Sequence, residues 1–593
     1  MTLHAITAFV DAGPDVVDTF HRGHKIRGRN IQRVVSSDRF SVLTDGSDGR
    51  VLRSWADGNR LTVAFGSSAS FLAEPQALFG RVAENAISTD LSDLVAFHVD
   101  GDTVRAITGS GVHRLYRRDL PSGGSVVSSH LASAVTADTP AQVDRSYEDF
   151  LLGFGFLPDG RTMFQGVTEL PSPSVLEVGK GSAEKLNVDM DREETGADLL
   201  EALLAAVGRQ SAGVDHCAVF LGGFDSALVC ALLVKLGKQV TAYTFDFGDP
   251  AFNQMYTDLV VDALGIEHRW VTIDVDRMRA AFKDLPNILN TPGAQPHYQL
   301  HTVFAAEDIQ GDELFTAFTG DGCDALFLGY PTIRARSNLM SRLRRVPGPV
   351  AGFITRILGI DTVDERLGHV ARTARSVMNA SMLGYPASGH LPTQYLDEVS
   401  LRRLRSDDAP PAPETVAEIR TRLASGMEGM DPTRLAFVGY AATGASRVKV
   451  DSAIMRSGVA QFTPFKDPSV VREVTSLPQS VLLPEGSTRR DLGKQYLIDA
   501  VLGEGLLPAE VVLQPKLSPS TSPIDYWYMD DLRSDVLETL ESLPFEWDRG
   551  YVENLLRPKR AEDWYRNRIA LSPHALQAVG MLVTYAAFSR LSI

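Results

Sequence analysis

Two glycine-rich stretches of the sequence carry the residue types that could do chemistry. In the first, "AVFLGGFDSAL" at 218–228, Gly222 and Gly223 end an apolar run. Asp225 and Ser226 then begin a stretch with helical spacing. Glycine lets backbone N–H groups approach phosphate oxygens closely, and a helix N-terminus adds about half a positive charge. The stretch is typical of a phosphate-binding loop, although a tight turn capped by Asp225 or Ser226 fits the same residues.

The second stretch, "TAFTGDGCDALFLGYP" at 316–331, repeats this pattern after another apolar run. Its glycines and acids are Gly320, Asp321, Gly322 and Asp324. Strands of one parallel sheet end at the same edge, so Asp225 and Asp324 are expected to converge. Paired carboxylates beside a phosphate-binding loop suit Mg²⁺, which takes a few oxygen ligands and completes its shell with phosphate and water.

Strands alternating with helices are predicted around both stretches. Helical spacing over 197–210 precedes the strand "CAVFLGG", and further helices separate it from the strands "QVTAYTFDFGD" and "HRWVTID". A fourth strand, "LFTAFTGDG", is predicted near 314, and mostly helical periodicity follows beyond about 330. This order indicates βαβ units on a parallel sheet covered on both faces.

The N-terminal part has a different pattern. The first 190 residues contain short alternating runs broken by Gly, Asp and Ser, which predict a β-rich region with few helices. A polar, turn-prone stretch at 176–196 is expected to end this region. With 593 residues the chain is also too long for one ordinary domain. We therefore expect two domains, over 1–190 and 195–593.

Composition narrows the function classes. The formal net charge of -16 argues against a nucleic-acid partner, because phosphate backbones are bound mainly by Lys and Arg. Three scattered cysteines, Cys217, Cys230 and Cys323, fit a reducing compartment better than a disulfide framework. Neither a secretory signal nor an uninterrupted apolar window of about 18 residues is recognisable. We expect a soluble cytoplasmic protein without a membrane partner.

The two glycine-rich stretches together resemble the nucleotide motifs of the asparagine synthetase family, SGGxDS and GDGxDELFxGYP. The segment 450–474 resembles that family's helix-and-loop segment ending in PFLD, and 494–527 resembles its lysine-containing segment. The residues "FGFLPDGRTMFQGVTELPSPSVLEV", 154–178, resemble its domain junction more weakly. The resemblance covers nearly all of 195–593 and, more weakly, 1–190.

This resemblance implies an α/β fold in which an N-terminal Ntn-type β-rich sandwich precedes a PP-loop parallel-sheet synthetase domain with a helical extension. It implies ATP and Mg²⁺ as cofactors of an AMP- and pyrophosphate-forming amide synthesis, in which an amine displaces AMP from an acyl-adenylate. The implied metal ligands are Asp225 and Asp324. Lys516 corresponds to the catalytic lysine, which stabilises charge building on the α-phosphate. The implied nucleotide-binding residues are Gly222, Gly223, Asp225, Ser226, Gly320, Asp321, Gly322 and Lys494.

The sequence departs from the family motifs at several positions. Leu221 replaces the first serine of the phosphate loop, which removes one hydrogen bond worth about 1.5 to 3 kcal/mol but leaves the backbone donors. Ala325 replaces a glutamate. Ala460 and Phe462 replace the carboxylate and guanidinium before PFLD, so an apolar or larger substrate is favoured over aspartate.

The N-terminus departs as well. The family's glutaminase uses an N-terminal cysteine with its own amine as base, but no cysteine precedes Cys217 here. His4 aligns with the cysteine position, and Thr2 is the remaining candidate nucleophile. The N-terminal domain is therefore interpreted as a degenerate scaffold, as in the β-lactam synthetases and lasso peptide cyclases. The tyrosine–glutamate pair of β-lactam synthetases is replaced here by Asp321 and Ala460, which favours similarity to the cyclases.

The leading hypothesis is an amide ligase that joins a small-molecule or peptide carboxylate to an amine in specialised biosynthesis. Asparagine synthesis from ammonia and a catalytically degenerate nucleotide-binding scaffold stay open as alternatives. So do a homodimer and a biosynthetic partner protein. Five arginines are interpreted as a solvated helix face or as a contact for an acidic peptide: Arg334, Arg336, Arg342, Arg344 and Arg345.

Overall fold

The computed structural model describes residues 3–26, 31–46, 51–57, 60–66, 86–88, 94–109, 112–178, 184–185, 187–189, 199–248, 251–329, 346–360, 374–375, 378, 394–405, 413–425, 445–482, 494–514, 523–557, 559–560, 569–571 and 573–593. Several residues named above lie outside these ranges. They are Thr2, the expected domain boundary at 190–195, the five arginines from Arg334 to Arg345, and Lys516.

The N-terminal region is built mainly from antiparallel strands. They are β1 (Ala5–Val10), β2 (Ile31–Ser36), β3 (Phe40–Asp45), β4 (Leu52–Asp57), β5 (Arg60–Gly66), β6 (Ala86–Ser88), β7 (Leu94–Asp100), β8 (Thr103–Thr108), β9 (Tyr116–Asp119), β10 (Ser125–Ser128), β11 (Val167–Glu169), β12 (Ser174–Glu177), β13 (Glu184–Lys185) and β14 (Asn187–Asp189). One sheet has the order β11-β9-β10-β1-β3-β2 and the other β13-β12-β8-β7-β5-β4, while β14 pairs with β6 in parallel. Helices in the described part of this region are α1 (Pro14–Ile26), α2 (Leu131–Val135) and α3 (Glu148–Phe154).

Strands β1, β3 and β10 are buried along their whole length. Because successive side chains of a strand point to opposite faces, both faces of the first sheet are covered at these strands. Ile6 of β1 belongs to the same hydrophobic cluster as Phe65 of β5 in the second sheet. On the other face, Phe9 packs against Phe20 of α1, with ring centroids 5.2 Å apart. The expected β-rich character of this region is confirmed by its two six-stranded sheets.

The C-terminal region contains a five-stranded parallel sheet. Its strands are β15 (His216–Phe220), β16 (Gln239–Asp246), β17 (Glu267–Thr272), β18 (Thr316–Phe318) and β19 (Ala460–Phe462). Their order is β17-β16-β15-β18-β19, so the chain proceeds to one side of β15 and then continues on the other. Ligands of open α/β sheets bind at such a switch point, beyond the carboxyl ends of the strands. The loops after β15 and β18 meet there.

The described residues of this region also form helices. They are α4 (Leu199–Gln210), α5 (Phe224–Lys235), α6 (Ala251–Leu264), α7 (Val275–Phe282), α8 (Leu285–Ile288), α9 (Pro296–Gly311), α10 (Cys323–Leu326), α11 (Gly348–Leu358), α12 (Glu398–Leu404), α13 (Val416–Ala424), α14 (Ala445–Ser457), α15 (Pro468–Ser476), α16 (Gln479–Leu482), α17 (Gln495–Gly503), α18 (Ala509–Val512), α19 (Ile524–Met529), α20 (Arg533–Leu540), α21 (Arg549–Leu555) and α22 (Pro573–Ser589). Short 3-10 helices occupy Pro464–Lys466 and Arg590–Ser592, and β20 (Lys559–Arg560) pairs with β21 (Ile569–Ala570). In the described part of the chain, no helix is both long and apolar enough to cross a bilayer.

The sequence pattern does not predict strand β19. The segment 450–474 was interpreted as a helix and a loop, but its residues Ala460–Phe462 form β19, in parallel register with β18. Three residues are too few to show a strand period, so the pattern could not reveal this edge strand.

Candidate active site

The loop after β15 begins with Leu221, whose side chain is buried in the hydrophobic core. Its backbone N–H donates to the carbonyl of Tyr243 over 2.8 Å. Because Cys217, Val219 and Leu221 alternate along the chain, all three contribute to the same cluster. Leu221 therefore serves as a core residue at the position where the family has a serine hydroxyl.

Ser226 shapes this loop from the first turn of α5. Its hydroxyl oxygen accepts from the N–H groups of Gly222 and Gly223 at 3.0 and 3.2 Å, and it donates to the carbonyl of Gly223 at 2.9 Å. The family resemblance implies that these groups belong to the nucleotide site. In the structure they bond to one another, so the hydroxyl orders the backbone of the loop.

The described residues leave space over both glycines. A methyl group on Gly222 or Gly223 would meet no heavy atom of these residues within 4 Å. The space adjoins the N-terminus of α5, where unsatisfied N–H groups favour anions. The loop can therefore accept an anionic group close to its backbone.

The loop after β18 packs directly against this first loop. A Cβ atom on Gly320 would lie 2.7 Å from the Cβ of Asp225 and 2.8 Å from the backbone nitrogen of Ser226. The backbone of Asp321 donates to the Thr319 hydroxyl at 3.2 Å. Gly322 immediately precedes α10 and has a φ of +94°, a conformation that favours glycine. Gly320 thus allows the second loop to approach the first closely, and Gly322 allows the second loop to turn into α10.

Asp225, Asp324 and Lys494 meet at the contact between the two loops. The Lys494 Nζ contacts Asp225 Oδ1 and lies 2.7 Å from Asp324 Oδ1. The Lys494 side chain is buried, and both carboxylates are about one-fifth exposed. The predicted convergence of Asp225 and Asp324 is confirmed, and Lys494 lies between them.

The electrostatics follow from this contact. Burial alone lowers the pKa of Lys494, but the carboxylates of Asp225 and Asp324 more than offset it and raise the pKa above its usual range. Burial, and then the Asp225 carboxylate, raise the pKa of the Cys323 thiol well above its ordinary value. The site therefore holds a charged ammonium above a neutral, fully buried thiol.

The carboxylate pair also bears on metal binding. Asp225 and Asp324 already contact one cation, the Lys494 ammonium, so both can reach a single ion. Among the described residues, no group of three or more His, Cys, Asp or Glu side chains could hold a metal. Mg²⁺ needs few protein ligands when phosphate and water complete its shell. The pair fits a metal that arrives with a nucleotide.

The other departures from the family motifs are buried. Ala325 and Ala460 are 1% and 0% exposed, and Phe462 lies with its ring 5.4 Å from that of Phe318. These side chains belong to the protein core. The side of β19 that carries Ala460 and Phe462 is accordingly apolar.

Sequence reasoning missed Gly329 and an aromatic group. A methyl group on Gly329 would overlap Lys494 and Asp324, so the glycine makes room for their contact.

Near the end of β16, the His301 ring lies 5.6 Å from that of Phe245 and 5.0 Å from that of Phe247. Two aromatic residues at the end of a predicted strand were the available signal for this group.

A parallel sheet whose glycine-rich loops meet at the switch point defines the chain as an α/β protein of the nucleotide-binding class. The family model described as Asparagine synthase matches residues 198–582, and the chain belongs to this family. Membership implies an ATP-dependent ligase that forms carbon–nitrogen bonds, in a family whose members typically use Mg²⁺ with ATP. A search of curated proteins finds no match to the chain.

Proposed function

We propose that the protein is an amide ligase that adenylates a substrate carboxylate with ATP and joins it to an amine without a working glutaminase. The observation that carries the proposal is the meeting of Asp225, Asp324 and Lys494 beside the open glycine loop. In the reaction, a carboxylate oxygen attacks the α-phosphorus and pyrophosphate leaves. The amine nitrogen then attacks the acyl carbon, loses a proton, and AMP leaves.

The residues divide this task according to their positions. The triphosphate would bind over Gly222 and Gly223, next to the start of helix α5. Asp225 and Asp324 would hold Mg²⁺, which when bound supplies positive charge beside the phosphates. The Lys494 ammonium, and Lys516 by its resemblance to the family's catalytic lysine, stabilise the charge that develops as pyrophosphate departs.

The surroundings of His4 support the absence of glutaminase activity. His4 aligns with the family's cysteine, and its backbone N–H donates to the carbonyl of Met455 at 2.7 Å. Its ring packs so closely on Gly46 and Gly458 that a methyl group on either would lie 2.8 Å from a ring nitrogen. Burial lowers the pKa of His4 to about 4. A buried, neutral imidazole fills the position that a nucleophile would need, which supports a scaffold role for residues 1–190 and a catalytic role for 195–593.

The substrate we propose is a carboxylate larger or less polar than aspartate, in a specialised metabolite or peptide. Ala460 and Phe462 provide neither the carboxylate nor the guanidinium that the family places before PFLD. The amine belongs to the same substrate or to a second molecule. We further propose a cytoplasmic location.

The proposal is tested by calorimetric titration of Mg·ATP into the full chain and by carboxylate-dependent pyrophosphate exchange. We expect saturable binding that weakens roughly tenfold or more in Asp225→Asn and Asp324→Asn, because each loses a charged contact. Asp499→Asn is the matched control, since Asp499 is an exposed residue of α17 that pairs with Gln495. Its binding should equal that of the wild type.

Two outcomes would redirect the assignment. No binding at millimolar ATP, or equal binding in all three variants, would favour the degenerate scaffold. AMP release that requires aspartate and ammonium would favour an ammonia-dependent asparagine synthase.

A further inference from the structure

The Lys494 ammonium occupies the position between the two carboxylates where a metal would bind. It contacts Asp225 Oδ1 and lies 2.7 Å from Asp324 Oδ1. Lys494 is only 5% exposed, so this cation is held within the protein. The two carboxylates and the ammonium together carry one net negative charge.

The backbone around Lys494 is adapted to this position. Lys494 immediately precedes α17 and has a φ of +54°, in the left-handed region that side-chain-bearing residues seldom adopt. Its carbonyl accepts from the N–H of Ile498 at 2.9 Å, which fixes the residue to the first turn of the helix. Gly329 leaves the space that the end of the lysine side chain fills. The left-handed backbone of Lys494 and the space at Gly329 thus both help to position the ammonium between the two carboxylates.

A free divalent ion cannot join this arrangement at low cost. If the ammonium stayed, two cations would lie within a few ångströms of each other in a mostly buried site. If the ammonium left, a buried positive charge would lose both of its anionic partners. A triphosphate would remove the second difficulty, because phosphate oxygens bound at the adjacent glycine loop would give the lysine new anionic partners.

We propose that Lys494 makes metal binding at the Asp225–Asp324 pair conditional on nucleotide. The two carboxylates do not bind free divalent cations. They bind a metal only together with a triphosphate, whose oxygens replace them as partners of the Lys494 ammonium. Lys494 is then a specificity-determining residue that selects the metal–nucleotide complex. This inference rests on the proposed function, because it assumes that the glycine loop binds a triphosphate.

The test measures Mn²⁺ binding to the full chain by electron paramagnetic resonance of the free ion, with and without α,β-methylene-ATP. We expect wild type to bind Mn²⁺ at this site only when the analogue is present. Lys494→Met should bind Mn²⁺ without nucleotide roughly tenfold or more tightly than wild type, since both carboxylates lose their ammonium. Adding Asp324→Asn to Lys494→Met should abolish that binding.

Lys238→Met is the matched control. Lys238 donates to the carbonyl of Val214 at 2.7 Å and directly precedes β16, at the opposite edge of the sheet from the glycine loops. Its Mn²⁺ binding should equal that of the wild type. Two results would overturn the inference. One is that wild type binds Mn²⁺ without nucleotide and Asp324→Asn removes this binding. The other is that Lys494→Met binds Mn²⁺ no more tightly than wild type.

If Lys494→Met does not fold, thermal unfolding of wild type decides. Mn²⁺ alone should leave the melting temperature unchanged, and Mn²⁺ with the analogue should raise it. A rise with Mn²⁺ alone that Asp324→Asn abolishes would contradict the inference while leaving the proposed function intact, provided that the analogue also binds. Failure of the analogue to bind in the presence of Mn²⁺ would overturn the proposed function itself, and the conditional binding with it.

Discussion

The glycines of the two loops differ in how closely other residues pack against them. No described residue lies within 4 Å of a methyl group placed on Gly223, whereas one on Gly320 would press against Asp225 and Ser226. In the proposed function, the first glycine leaves room for the phosphates. The second is needed for the contact between the loops themselves.

Substitutions at Gly223 and Gly320 should affect different properties, nucleotide binding in the first case and the free energy of unfolding in the second. Gly223→Ala should leave the free energy of unfolding nearly unchanged and weaken Mg·ATP binding roughly tenfold, because the methyl group enters the space beside the phosphates. Gly320→Ala should destabilise the protein by about 1 to 3 kcal/mol, because the added methyl displaces Asp225. Thermal unfolding and calorimetry of both variants check this. Equal loss of stability in the two variants would contradict the assignment.

His4 gives the stability of the protein a defined pH dependence. Its pKa is lowered from 6.5 to about 4 by burial, so the unfolded chain binds the proton more readily. The stabilisation from neutral His4 should be fully present above pH 6.5 and should be lost as the pH falls towards 4, by about 3 kcal/mol. Urea unfolding of wild type and His4→Gln across this range measures the difference. A constant difference between the two would show that His4 titrates normally.

At the scale of elements, the short strand β19 brings the PFLD-like segment into the core. Ala460 is fully buried opposite Thr316, and Phe462 packs on Phe318. The family's charged pair at these positions has been exchanged for apolar contacts. The strand now contributes packing where the family motif carries charges.

Restoring the family residue should therefore be destabilising. Ala460→Glu should lower the free energy of unfolding by about 3 to 5 kcal/mol, because it places an unpaired carboxylate in a fully buried position. Ala460→Ser, which adds a polar atom without a charge, should cost much less. Denaturant unfolding of both variants provides the measurement. A Glu variant as stable as wild type would show that the position has access to water.

At the scale of the whole molecule, the N-terminal sandwich and the parallel-sheet region share buried contacts. A single hydrophobic cluster includes Ile6 of β1 as well as Leu228 of α5. A buried polar network adds to it, with Asp451 of α14 lying 2.7 Å from His113 and accepting from Asn290 at 2.6 Å. Asn290 in turn donates to the carbonyl of Ser129 at 2.9 Å.

Removing the centre of this network should weaken both regions together. Asp451→Ala should cost about 2 to 5 kcal/mol, because His113 and Asn290 lose a buried partner. Arg33→Ala, which breaks an exposed ion pair with Asp18, should cost less than about 1 kcal/mol. Urea unfolding followed by fluorescence and circular dichroism should show one cooperative transition. Two separate transitions in wild type would show that the two regions unfold independently, which would contradict this prediction.

The sequence alone determined the features that depend on local periodicity. Strands β15, β16 and β17, with the helices between them, follow from apolar runs of the right length, and the two glycine-rich loops follow from residue types at strand ends. The convergence of Asp225 and Asp324 could be predicted too, because neighbouring parallel strands end at one edge.

The tertiary structure decided what depends on contacts between distant residues. Lys494 and Asp225 are 269 positions apart, and no local pattern indicates that the ammonium enters the carboxylate pair. The inward direction of Leu221 and the role of Ser226 in ordering the loop likewise depend on the surrounding core. Periodicity reports only whether a side chain is buried, whereas packing determines which group it contacts.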